Sequence, residues 1–133
     1  MPGALFSVGD PHFAQGDGES SGVAIETAAR ARLRFHLRKD PPWRPRHPFI
    51  TFGKHVAATG ISVDAAGENR YLDVYTAAAA AAADLLEYLR AERGLSREQA
   101  YVLLSVAVDL QISELVDVPN AVVSAVLSLD VFE

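Results

Sequence analysis

Between Val23 and Arg38 the chain alternates without interruption. Val23, Ile25, Thr27, Ala29, Ala31, Leu33, Phe35 and Leu37 form one set; Ala24, Glu26, Ala28, Arg30, Arg32, Arg34, His36 and Arg38 form the other. Successive side chains of a strand point to opposite faces. The period therefore predicts a strand with Ile25, Leu33, Phe35 and Leu37 toward a core and Arg32, Arg34 and His36 away from it. One straight strand of that length would run ~50 Å at about 3.3 Å per residue, longer than strands usually are, so a bulge or bend is expected within it.

The remaining pattern changes period twice. Ala4 to Val8 is a short apolar run that leads into a glycine-rich acidic loop. Asp40 to Pro48 reads DPPWRPRHP, a proline-dense loop that cannot join a central sheet. Phe49 to Phe52 and Val56 to Val63 read as strands, with Asp64 to Asn69 as a polar turn. From Val74 to Arg93 the text becomes helical: Ala77 to Ala83 carry the best intrinsic propensity, Leu85, Leu86 and Leu89 supply an apolar stripe, and Gly94 suits the C′ position. Ser96 with Gln99 forms the signature of a capping box, which opens a second helix over 97–108. Leu110 to Val116 and Ala121 to Phe132 return to strand-like text, separated by Pro119 and Asn120. Strands, two helices, then strands predict an α+β fold with a largely antiparallel sheet, and residues 1–133 read as a single domain without internal repeats.

Composition narrows the class. Of 133 residues half are hydrophobic and 22% are charged, which marks a globular chain able to bury a core. A net charge of −5 argues against nucleic acid or an anionic membrane as partner. No apolar run approaches the roughly 20 residues of a spanning helix, and no basic region followed by an apolar stretch opens the chain. The absence of cysteine excludes thiolate catalysis and sulfur-ligated zinc. A cytoplasmic protein is expected.

Chemistry concentrates in Gly9 to Glu19, GDPHFAQGDGE, where Asp10, His12, Asp17 and Glu19 lie among three glycines. Carboxylate oxygens and imidazole nitrogens are donors that a divalent cation prefers, and glycine lets the backbone fold tightly enough for donors to converge. From residue types alone these side chains either hold a cation and do acid–base work or cap surface turns. No GxxxxGK[ST] is present, the glycine spacing misses GxGxxG, and the EF-hand opening is absent, so phosphate-loop, dinucleotide and EF-hand readings fail. GESSG, Gly18 to Gly22, resembles the tandem-serine segment of amidase-signature enzymes, but Lys39 and Lys54 are the sole lysines and neither stands in that context. The ladder of Arg30, Arg32, Arg34 and Arg38 with His36, with Trp43, Arg44 and Arg46 nearby, could serve an anionic ligand. The acidic composition favours a solvated face, or one paired with acids across strands or subunits.

Four stretches together carry a wider resemblance: MPGALFSVGDPHFAQGDGE, GVAIET, ATGISV and EQAYVLLSVAVDLQISELVDVPNAVVSAVLSLDVFE. Along nearly the whole chain they resemble the acetamidase/formamidase family. That resemblance implies a β-rich, sandwich-like body with helices attached, and hydrolysis of small aliphatic amides to carboxylate and ammonia at a site associated with divalent metal. Carried onto this sequence, it implies Asp10, His12 and Asp17 as ligands of a divalent ion, with zinc, calcium and magnesium all open. Glu19 is then the general base, Gln15 holds the substrate amide, and Glu26 orients a ligand from behind. Family members often have Arg and Gln where this chain has Gln111 and Glu114. They are also longer, and the match is to their C-terminal part. The expected partners are therefore a small amide and either further copies of the chain or a second chain supplying an N-terminal half; the alternative is an inactive fragment acting as a structural, oligomerising module.

Overall fold

The computed structural model describes Gly3 and residues 5–133. Two antiparallel sheets and two helices make an α+β fold, the class expected from the sequence. The small sheet pairs β1 (His12–Ala14) with β2 (Ile25–Glu26). The large one is built from β3 (Phe49–Phe52), β4 (His55–Ile61), β5 (Val108–Glu114) and β6 (Val122–Ser128), in the order β3-β4-β6-β5. Helix α1 (Val74–Arg93) lies against its two central strands, and α2 (Arg97–Ala107) runs into β5 without a loop.

Local sequence explains the helix limits. At the start of α1 the Asp73 carboxylate accepts the Tyr75 amide at 3.0 Å and the Thr76 hydroxyl at 2.6 Å. At its end Gly94 takes the left-handed conformation (φ 66°) and donates its N–H to the Leu89 carbonyl. The capping box of α2 is complete, with Gln99 N–H donating to the Ser96 hydroxyl and Ser96 N–H to the Gln99 side chain. The last strand is shorter than the text suggests. The Ser128 hydroxyl accepts the Asp130 amide and turns Leu129–Phe132 into a 3₁₀ helix.

The core forms where α1 crosses β4 and β6. Cross-strand neighbours Val56 and Leu127, then Ala58 and Ala125, then Gly60 and Val123, line one sheet face, and along β4 the side chains step from valine to alanine to glycine toward the start of the helix. Leu85, Leu89 and Leu127 are fully buried, each contributing about 1.5–3 kcal/mol of transfer free energy. At Gly60 the backbones nearly touch. A methyl group there would overlap the Ala77 carbonyl, lie 2.5 Å from the Ala81 amide nitrogen and 2.9 Å from the Ala80 methyl. The alanine run is thus a docking surface as well as a helix former. The proline-rich loop closes this layer: Trp43 packs edge-on against Phe49 and Tyr88, and the buried Asp84 carboxylate of α1 accepts the amides of Arg46 and His47.

The long alternating segment departs from expectation. Only Ile25–Glu26 is a paired strand, and Ile25, Leu33, Phe35 and Leu37 are exposed; the last three are 51%, 71% and 84% accessible. Their assignment to the core is corrected. The reason lies in the partner strand. Pairing with β1 ends where Thr27 N–H donates to the Pro11 carbonyl, because proline has no N–H to return and Asp10 turns the chain away with a left-handed φ of 54°. Period two gives a strand its faces, but a ladder needs a neighbour. Of the N-terminal apolar run, Ala4 lies outside the described residues, and Leu5, Phe6 and Val8 are exposed. Among the described residues no helix is long and apolar enough to cross a membrane.

Replacing Gly60 with alanine should destabilise the fold by about 3 kcal/mol, the upper part of the range for overpacking, because the obstruction is backbone rather than a mobile side chain. A denaturant titration that places Gly60→Ala within about 0.5 kcal/mol of wild type, the scatter of neutral surface changes, would show that the helix can back away from the sheet freely.

Candidate functional site

The acidic loop is fastened at both ends. Gly16 to Glu19 form a turn in which Glu19 N–H donates to the Gly16 carbonyl at 3.1 Å, with Gly18 at φ 85°, a conformation that favours glycine. Gly18 then pairs in parallel with the end of β5, donating its N–H to the Ser113 carbonyl (3.2 Å) and accepting that of Leu115 (3.1 Å). On the other side, β1 pairing sets His12 directly opposite Glu26, with a bulge between His12 and Ala14. Asp10 and Glu19 both hold left-handed backbones without being glycine, at φ 54° and 44°, a strain of about 1–3 kcal/mol each.

His12 is the centre of a polar cluster. Its Nδ1 lies 2.8 Å from the Gln15 Oε1, and its Nε2 lies 3.2 Å from Asp10, 2.9 Å from Glu26 and 3.9 Å from Glu19. The Gln15 oxygen can only accept, so Nδ1 carries the proton. In the neutral ring Nε2 then presents its lone pair to carboxylates. Two things relieve that repulsion: a second proton on the ring, or a cation among the donors. The first is seen in the ring's basicity. His12 is held above its ordinary pKa of 6.5, mainly by the Gln15 hydrogen bond, with burial opposing and the charges of Glu26, Asp10 and Glu19 adding to it. The second fits the donor set, since one atom each from Asp10, His12 and Glu26 lie within 4.8 Å of one another.

Glu19 belongs to a second group. Its side chain is only 10% exposed and approaches Glu114 and Asp117, again within 4.8 Å. Withdrawal from water is the largest cause lifting its carboxyl above the ordinary 4.5; the hydrogen bond and charge of Glu114 and the charge of Asp117 add to this, and His12 opposes. Glu114 is itself fixed, its Oε1 accepting the amides of Leu115 and Val116. The sequence marked Glu114 only as a departure from the residue family members often have, and it did not single out Asp117. No spacing rule joins them to Glu19, and the Gly18–Glu114 bridge that brings them together is a tertiary contact.

The structure therefore brings Asp10, His12, Gln15, Glu19 and Glu26 together. Glu26, expected to stand behind a ligand, faces the His12 Nε2 directly. Asp17 is exposed at the turn and belongs to neither carboxylate group. It lines an open cleft of about 530 Å³ together with Gln15, Glu19, Ser20, Ser21 and Val23. Lys54 is held by Asp130 at 2.6 Å and by Glu133 at 3.1 Å, so its ammonium is committed elsewhere.

The whole chain, residues 1–133, matches the model of the Acetamidase/Formamidase family. It is 38% identical over 138 residues to a formamidase of Methylophilus methylotrophus, covering 96% of this chain and 34% of that protein. Among solved structures it is similar to an acetamidase from Bacillus halodurans, with a TM-score of 0.74 and 26% identity over 91% of this chain and 37% of the other. It is also similar to a gamma lactamase from Delftia acidovorans, with a TM-score of 0.55 and 39% identity over 67% of this chain and 21% of the other. The chain spans about a third of the length of the curated relatives it matches.

The raised carboxyl of Glu19 has a consequence for stability. The native state holds that proton more tightly than the unfolded chain does, so ionising it costs folding free energy. The cost is absent below 4.5 and grows as pH rises through the native value. In chelator-treated protein, Glu19→Gln should melt above wild type at neutral pH, and the gap should close as pH falls to 4.5. A gap that is constant with pH would mean that Glu19 is not crowded by acids.

Proposed function

Because the chain belongs to the acetamidase/formamidase family, we propose that its acidic loop provides the hydrolytic site for small aliphatic amides, releasing carboxylate and ammonia. The observation that carries this reading is the convergence of Asp10, Glu26 and Glu19 on one imidazole nitrogen beside an open cleft. Mixed imidazole and carboxylate donors suit zinc, whereas calcium and magnesium favour oxygen alone. Asp10, His12 and Glu26 are the ligands we favour over a set containing Asp17. A divalent ion held there would polarise the amide carbonyl and make a water molecule more acidic.

The protein's own groups do the rest. Gln15 fixes the His12 tautomer by accepting from Nδ1, keeping Nε2 available as a donor atom. Glu19 takes a proton from the attacking water as its oxygen bonds to the carbonyl carbon. The same carboxyl then passes that proton to the amide nitrogen as the C–N bond breaks, leaving the carboxylic acid and ammonia, and the acid gives its proton to ammonia or water to become the carboxylate. Withdrawal from water and the neighbouring Glu114 and Asp117 raise the proton affinity of Glu19 above that of an ordinary carboxylate, which suits a group that must accept a proton and hold it until the nitrogen leaves. Asp17 and the loop serines form the rim past which the substrate enters.

The side chain of Asp10 is 84% exposed and that of Glu26 more than half exposed, so one wall of the site stands open. This supports a working enzyme in which another polypeptide, either a further copy or a companion chain, closes the opposite wall. A purely structural, oligomerising role is the competing reading.

Elemental analysis and calorimetry with zinc test the ligand set. His12→Ala and Glu26→Gln should lose binding, Gln15→Ala should weaken it about 10–100-fold, as loss of a ligand's hydrogen-bond partner does, and Asp17→Asn should leave it near wild type. Unchanged zinc content in both His12→Ala and Glu26→Gln would remove the metal reading.

Ammonia release from formamide and acetamide tests the chemistry. Glu19→Gln should reduce turnover by about 10²–10⁴-fold while leaving zinc bound. Full activity in that variant would exclude Glu19 as the proton carrier, and a metal-loaded wild type without turnover would favour the structural reading.

A further inference from the structure

The most conspicuous unfinished feature lies outside the site. From Ala28 to Arg38 no backbone group bonds to another backbone group among the described residues. No residue there has a positive φ, so nothing in the backbone bars an extended conformation. The stretch continues directly from β2, whose own ladder to β1 stops at Pro11. One set of its side chains (Leu33, Phe35, Leu37) is apolar and exposed, with Phe35 edge-on to the also exposed Phe6 at 4.9 Å; the other carries Arg30, Arg32, Arg34 and Arg38. Residues 27–39 hold five of the chain's twelve basic residues and no acid, in a protein whose net charge is −5. Among the described residues only Arg38 of this set has an ion pair, with Glu92 at 3.3 Å; Arg30, Arg32 and Arg34 have none.

We infer that residues 28–38 are an open acceptor strand that extends the β1–β2 sheet by pairing with a polypeptide strand alternating apolar and acidic side chains. Each element of that description answers an observed deficit. Backbone hydrogen bonds from the added strand would complete an unpaired ladder, its apolar side chains would cover Leu33, Phe35 and Leu37, and its acids would sit opposite the arginines. The charge pattern decides against the simplest competitor. Pairing the same segment of two copies would oppose arginine with arginine, and like charges directly across a ladder are destabilising. Nucleic acid would satisfy the guanidinium groups but leave the apolar face and the amides in water. The relatives offer a natural source of such a strand, since this chain spans about a third of their length.

The test uses the full chain with two synthetic peptides as long as the segment, one alternating valine with glutamate and the other valine with lysine. Hydrogen exchange read by mass spectrometry should show residues 28–38 exchanging freely alone and slowing by about tenfold or more with the glutamate peptide. The lysine peptide should have no effect, and added salt should weaken the protection. The triple variant Arg30→Glu, Arg32→Glu, Arg34→Glu, which alters only exposed side chains, should reverse the preference between peptides. Equal protection by both peptides, or by neither, would overturn the inference. Protection that grows with protein concentration in the absence of peptide would assign the strand to a second copy and overturn it as well. So would tighter binding of a single-stranded oligonucleotide than of the glutamate peptide.

Discussion

The contact between Gly60 and the alanine face of α1 is the constraint from which the rest of the structure follows. A helix can approach a sheet this closely only where both surfaces lack side-chain bulk, and here the requirement falls on Gly60 of β4 and on Ala77, Ala80 and Ala81 of the helix. Close approach in turn brings Leu85 and Leu89 onto Val56 and Leu127 farther along the same crossing. The sheet order β3-β4-β6-β5 is thereby held at its centre, and β5 is fixed as an edge strand with α2 entering it directly. Burial is concentrated in this layer, away from the polar cluster around His12.

The candidate site hangs from that edge. Gly18 reaches the end of β5 through two backbone hydrogen bonds, and this attachment presses Glu19 toward Glu114 and Asp117 while β1 carries His12 against Glu26. The result is electrostatically costly. A histidine whose proton is committed to Gln15 faces three carboxylates, and a poorly exposed glutamate has two acidic neighbours. Left-handed backbones at Asp10 and Glu19 add strain. Costs of this kind cluster where a site is organised for a cation or a proton rather than for stability.

The open wall of the site and the open strand after β2 have a common origin in the chain. Both lie in the N-terminal third, where the small sheet has only two strands and the apolar residues Ile25, Leu33, Phe35 and Leu37 remain in water. The C-terminal part has a buried core between α1 and the centre of the large sheet, although Phe52, Val102, Val106 and Leu110 remain exposed there too. One polypeptide thus carries a packed helix-on-sheet layer and an N-terminal surface with an unpaired, alternating segment.

Much of the layer was legible in the sequence. Gly94 and the Ser96–Gln99 box set helix ends through contacts within a few residues, the alanine and leucine run gave α1 its length, and the polar run from Asp64 to Asn69 marked the turn after β4; the Asp73 cap was seen only in the structure. The α+β class followed from the order of these elements. The resemblance carried by GDPHFAQGDGE pointed to the family and to the loop that holds His12 and Glu19. What the sequence could not decide was non-local. Whether an alternating segment becomes a strand depends on a neighbour, and Pro11 with Asp10 withdraws the one that Ile25–Glu26 has. Which carboxylates meet depends on the path of the fold, which joins Glu19 to Glu114 and Asp117 and places Glu26, with Asp17 outside, against the imidazole. Periodicity and capping are short-range consequences of backbone geometry, whereas convergence of donors from opposite ends of a chain is fixed only when the sheet between them has formed.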